Sequence, residues 1–168
     1  DRVPLDISAT RTKDLMALVG VADMEGLLTH LGIDFRFVGP PHGRYRGEAR
    51  TYGVHPADYW VIPTGVGQGD SDVLRPLSRV TSVEEVEAYA WPKASDFDYN
   101  HIREQSARLH DRFAVGAVID APLFHNFTWL CGVENAFCLM ASEPDIAGAI
   151  LRKVTDFWVD MAARMLEE

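Results

Sequence analysis

The sequence predicts an α/β fold, and more specifically the N-terminal half of a (β/α)8 TIM barrel with a β-hairpin inserted on its rim. Three short apolar runs, at Val3–Ile7, Ile33–Val38 and Ala114–Ile119, have the length and composition of buried strands, and helical patterns follow them. A complete barrel of this kind needs about 250 residues. The chain has 168 residues, so we expect one partial barrel domain over residues 1–168, with the C-terminal half absent.

Capping residues mark where the first helices begin. Asp23 is expected to cap a helix that ends at Gly32, and Ser82 with Glu85 has the form of a capping box. Asp98 is expected to cap a further helix that runs through Leu109. Between the first and second of these helices, residues 39–72 are rich in turn residues and contain two β-like pieces. These pieces predict the hairpin on the barrel rim.

The last helix is the clearest amphipathic segment of the chain. Ser142 and Pro144 mark its start, and apolar residues then recur at helical spacing along one face. A stripe of this width needs a sheet or other helices to cover it, so we expect it to form core. Its members are Ile146, Ile150, Val154, Phe157 or Trp158, Met161 and Met165.

Composition excludes several classes of partner. The formal charge of −9, with Lys and Arg scattered, argues against nucleic acid, whose phosphates need clustered cations. No apolar run reaches the ~18 residues of a membrane span, and the N-terminus has no signal-peptide pattern, so a cytoplasmic protein is expected. Cys131 and Cys138 lack the close spacing of metal ligands. They are expected to be core-packing thiols in one helical segment, and no metal site is predicted.

The three strand ends carry polar residues that parallel strands would bring to one mouth. Arg11 is a candidate substrate-binding residue for a carboxylate or phosphate, with a structural salt bridge as the alternative. His42, after two prolines, is a candidate acid, base or hydrogen-bond donor; the alternative is a loop histidine facing solvent. Asp120 ends a buried strand, where a carboxylate needs either a catalytic role or a turn to cap.

Three residues just beyond Asp120 form a second candidate group. His125, Asn126 and Trp129 would line a substrate pocket with two polar groups and one aromatic wall. A surface loop with a half-buried tryptophan is the alternative interpretation. The candidate ligand is a small molecule.

Two segments resemble the uroporphyrinogen decarboxylase family, which includes corrinoid-linked methyltransferases. Residues 75–99, RPLSRVTSVEEVEAYAWPKASDFDY, are similar to a family passage of the form HPL…EE…Y.WP…D. The second segment is similar to a strand leading into an AP motif and a GxE…EP helix pair. The residues that carry this second match are Ala121, Pro122, Gly132, Glu134, Glu143 and Pro144.

The resemblance implies a TIM barrel and two enzymatic activities. The family's decarboxylases carry an RQAGR motif, of which this chain keeps Arg11 but has Ile7 at the first arginine. The family's catalytic aspartate would fall near Gly39 or Pro40, and its tyrosine near Thr128. These departures favour the methyltransferase branch, which moves a methyl group from a small donor, with porphyrinogen decarboxylation as the alternative.

The methyltransferase branch further implies zinc and a corrinoid for the full-length protein, with none bound by these residues, and a corrinoid protein as a partner. The third hypothesis is a non-catalytic half-barrel that needs a partner half. An open half-barrel exposes sheet edges, so a homo-oligomer is expected. The isolated chain is expected to be inactive.

Overall fold

The computed structural model describes residues 3, 5–6, 12–38, 75–117, 119 and 123–167. Within these ranges the chain is mostly helical and contains a small parallel sheet, which confirms the predicted α/β class. The helices and strands, in chain order, are α1 (Thr12–Val19), α2 (Met24–His30), β1 (Phe35–Val38), α3 (Val83–Ala88), α4 (Asn100–Leu109), β2 (Ala114–Ala117), α5 (Leu123–Cys131), α6 (Val133–Ser142) and α7 (Pro144–Leu166). A short 3₁₀ helix at Ala94–Asp96 lies between α3 and α4.

The sheet pairs β1 with β2 in parallel, from Phe35 opposite Ala114 to Val38 opposite Ala117. Helices α3 and α4 lie between the two strands in sequence, as a crossover between parallel strands requires. Gly116 allows the Phe37 ring to lie across the neighbouring strand, because a Cβ at Gly116 would stand 2.8 Å from the Phe37 ring. Both strands are shorter than predicted. Strand β1 begins at Phe35 instead of Ile33, and β2 ends at Ala117, with Ile119 outside it.

The first predicted strand is not seen at its described positions. Val3, Leu5 and Asp6 are outside any strand. Leu5 nevertheless lies beside the start of β1, because its carbonyl accepts the Asp34 N–H at 3.0 Å. In return, the Asp34 carboxylate accepts the Leu5 N–H at 2.8 Å. The predicted hairpin at residues 39–72 lies outside the described residues.

A buried arginine fixes α2 against β1. Arg36 is 4% exposed and donates through Nε and Nη2 to the two carboxylate oxygens of Glu25, at 2.7 and 2.8 Å. Its guanidinium also stacks 3.9 Å from the centre of the Phe113 ring. The hydrogen bond from Arg36 lowers the pKa of the Glu25 carboxyl.

The capping predictions are confirmed for α2 and α3. The Gly26 N–H donates to Asp23 Oδ1 at 2.7 Å, and Gly32 follows the helix with φ +65°. At α3, the Glu85 N–H donates to Ser82 Oγ at 3.2 Å. The Glu85 carboxylate reaches back one residue further than expected, to Thr81. At α4 the predicted cap was wrong by one residue: the N-cap is Tyr99, although the Asp98 carboxylate accepts the Asn100 N–H at 3.0 Å. The predicted end of this helix at Leu109 is confirmed.

Helix α7 forms the centre of the core and packs on α3, α5 and α6. The predicted stripe is confirmed at every position, with both Phe157 and Trp158 buried. Because burying one large apolar side chain contributes about 1.5–3 kcal/mol, this face is the main stabilising surface of the helical layer. No helix in the described ranges combines the length and apolar character needed to cross a membrane.

The region before α7 differs from the sequence-based expectations in two ways. Residues 123–131 form the helix α5, so the alternative of a surface loop around Trp129 is wrong. Cys131 and Cys138 lie in different helices separated by Gly132, whose φ of +90° breaks the helical path. Cys131 is buried as expected, but Cys138 is exposed because it lies away from the α7 interface.

Candidate functional site

The parallel pairing brings the carboxyl ends of β1 and β2 together. Val38 and Ala117, the last residues of the two strands, are register partners. In sequence, His42 follows Val38 by four residues and Asp120 follows Ala117 by three. His42, Asp120 and Arg11 themselves lie outside the described residues, so their candidate roles stay predictions.

The other three candidates, His125, Asn126 and Trp129, lie on helix α5, which begins just beyond β2. They differ in how far each side chain is exposed to solvent. His125 is exposed and Trp129 half-buried, with ring centres 5.9 Å apart. Phe124, also exposed, packs edge to face on His125. One end of α5 therefore presents an imidazole between two aromatic rings at the surface, and these groups remain accessible to a ligand.

Asn126, by contrast, is completely buried. Its Oδ1 accepts a hydrogen bond from Trp158 Nε1 on α7 at 2.7 Å. Its Nδ2 is also buried and has no hydrogen-bond acceptor in the described part of the chain. An unsatisfied buried donor is costly, so Asn126 keeps one bonding position that no described residue fills.

A second candidate region lies where residues 75–80 pack on the α5–α6 junction. The Leu77 N–H donates to the Leu130 carbonyl at 2.9 Å, and Arg75 Nη1 donates to the Thr128 carbonyl at 3.1 Å. Asn135 Nδ2 donates to the Ser78 carbonyl at 3.1 Å. These bonds join segments more than fifty residues apart in sequence and fix the geometry of a surface cleft.

The cleft has a volume of about 480 Å³ and contains two guanidinium groups. Sequence reasoning missed it, although the i, i+4 spacing of Arg75 and Arg79 was a signal that both could reach one surface. Burial raises the pKa of the Cys131 thiol to about 12. The lining residues are Arg75, Ser78, Arg79, Cys131, Gly132, Val133, Glu134, Asn135 and Cys138.

The family resemblance implies zinc for the full-length protein only, with no ligand expected among these residues. No group of three or more His, Cys, Asp and Glu side chains is placed to hold a metal ion within these ranges. A buried Cys131 with a raised pKa is also a poor ligand, because metal binding requires the thiolate.

Fold and geometry together define an α/β protein with two candidate regions, the carboxyl edge of a parallel sheet and an arginine-lined cleft. No family model, curated protein or solved structure matches the chain.

Proposed function

We propose that this chain is the N-terminal half of a uroporphyrinogen decarboxylase-like barrel, and that the full-length protein moves a methyl group from a small donor to a corrinoid. The observation that carries the proposal is the parallel pairing that ends at Val38 and Ala117. In barrel enzymes the reacting groups follow the carboxyl ends of such strands. His42 and Asp120 follow these two ends in sequence.

The packing of the two family-like segments supports the same proposal. Arg75 and Leu77, from the first segment, hydrogen-bond to carbonyls of α5, within the second segment. A Cβ at Gly132 would stand 3.3 Å from Arg75 Cδ, so the glycine of the GxE motif gives room for the arginine. Residues chosen for their resemblance are thus in contact, as parts of one structural pattern should be.

In this proposal each candidate residue has a limited task. His42 and Asp120 hold or move protons at the mouth, and Arg11 binds an anionic group of the substrate. His125 and Trp129 provide an exposed polar and aromatic wall, while Asn126 offers its buried Nδ2 as a donor. The corrinoid, when bound, supplies the methyl-accepting metal.

The test is a methyl-transfer assay on the complete protein that contains this chain. Cob(I)alamin is incubated with a panel of small methylated alcohols, amines and thiols, with and without added zinc, and methylcobalamin formation is followed by absorbance. We expect transfer from at least one donor. Turnover of uroporphyrinogen instead would reject the proposal in favour of decarboxylation, and inactivity towards both would favour a non-catalytic half-barrel.

Two aspartate variants make the assay specific for the proposed mouth. Asp120→Asn removes a proton-carrying group and should lower the transfer rate by about 100-fold or more. Asp156→Asn makes the same change at an exposed position of α7 and should leave the rate unchanged. Equal rates in the two variants would remove Asp120 from the catalytic group.

A further inference from the structure

The cleft beside the α5–α6 junction concentrates positive charge in an acidic protein. The whole chain has a formal charge of −9, yet two arginines line this one cleft. Among the described lining residues, Glu134 supplies the single carboxylate. Glu134 forms no ion pair with either arginine, so both guanidinium charges remain available.

Arg75 is held in a fixed position. Its Nη1 donates to the Thr128 carbonyl at 3.1 Å, and its side chain packs over Gly132. A guanidinium has five N–H donors in a planar fork, so this single bond leaves donors for a ligand. A donor that is already fixed loses little conformational entropy on binding.

Arg79 is the second cation and has a different character. Arg79 is exposed, and no hydrogen bond or ion pair joins it to another residue in the described ranges. Arg79 lies on the 75–80 turn, four residues after Arg75, and lines the same cleft. An oxyanion in the cleft would therefore meet one fixed and one adjustable guanidinium.

We propose that this cleft binds the oxyanion group of a small molecule, either a carboxylate or a phosphate, between Arg75 and Arg79. Paired guanidinium groups recognise both oxyanions through charge-assisted, bidentate hydrogen bonds. A volume of about 480 Å³ is also within the range of small-molecule sites. The proposal is independent of methyl transfer, because none of the lining residues is among those proposed to take part in that reaction.

Cys138 offers a direct report on this cleft. It is exposed and lines the cleft, so an anion bound there should block its alkylation. Cys131 lines the same cleft but is buried, which raises the pKa of its thiol to about 12. At neutral pH it therefore stays protonated and does not react, because only the thiolate is alkylated. The alkylation rate of Cys138 can therefore be followed by mass spectrometry without replacing Cys131.

The experiment measures Cys138 alkylation by uncharged iodoacetamide, with inorganic phosphate or acetate added at constant ionic strength. At several times the dissociation constant, we expect one of these anions to slow the reaction by about threefold or more. Arg79→Gln should abolish the slowing. The anion that protects Cys138 identifies the ligand as a phosphate or a carboxylate.

Arg108→Gln is the matched control, because it removes one charge from an exposed arginine of α4 that lies outside the cleft. In this variant the anion should slow Cys138 alkylation as much as it does in the wild type. Equal slowing in Arg79→Gln would overturn the proposal, and so would the absence of slowing by both anions in the wild type. A failure of methyl transfer would not affect either result.

Discussion

Asn126 is the candidate site residue whose surroundings the structure defines most fully. Its Oδ1 accepts the Trp158 Nε1–H at 2.7 Å, and both residues are buried. This bond ties α5 to α7 and satisfies the indole N–H inside the core. Asn126 therefore has a structural role, in addition to the binding role proposed for its Nδ2, which has no acceptor among the described residues.

Replacing Asn126 by alanine should lower the free energy of unfolding by about 2–4 kcal/mol, because the buried Trp158 N–H would lose its acceptor and a cavity would form. Urea denaturation measures the change. Asn135→Ala is the control, since Asn135 is half-buried and donates one bond to the Ser78 carbonyl. Its expected cost is about 0.5–1.5 kcal/mol. A smaller loss for Asn126→Ala than for Asn135→Ala would contradict the structural role.

The elements differ in how well their own residues predict them. Helix α7 was predictable because Pro144 marks its start and its apolar stripe keeps a helical period over six turns. Helix α5 was missed because it contains Asn126 and Thr128, which have low helix propensity. Packing against α6 and α7 supplies the stability that these residues do not.

Helix α7 allows a comparison between its two faces. Met161 is completely buried, whereas Val159, two residues earlier, is 63% exposed. Met161→Ala should lower the free energy of unfolding by about 2–5 kcal/mol, and Val159→Ala by less than about 0.5 kcal/mol. Thermal or urea unfolding of the two variants measures the difference. Similar losses in both would mean that α7 does not pack through the predicted stripe.

At the scale of the whole molecule, sequence predicts local pattern better than long-range contact. The parallel sheet and the order of its helices followed from apolar runs and capping residues. The arginine cleft did not, because it forms only when Arg75 packs over Gly132, and no local pattern reports that contact. The carboxyl ends of the strands lie between these two cases. Sequence alone does not show that Val38 and Ala117 are neighbours, but it follows once β1 is known to pair with β2 in parallel.

Self-association is the whole-molecule consequence of the proposed half-barrel. Within the described residues, β2 pairs with β1 and with no further strand. In the proposed half-barrel the other side of β2 is an edge that another chain could pair with. Phe37 lies next to it on β1, half-exposed and stacked on Phe35 at 5.8 Å. We therefore expect the isolated chain to form dimers or larger oligomers through this sheet.

Light scattering after size-exclusion chromatography, over a range of protein concentrations, tests this expectation. Phe37→Ser should shift the chain towards monomer, because it removes apolar surface beside the open strand. Val159→Ser, at an exposed position of α7, removes comparable apolar character away from the sheet and should leave the mass unchanged. A well-folded monomer at every concentration would reject the half-barrel, since an open sheet with an exposed apolar face requires a partner.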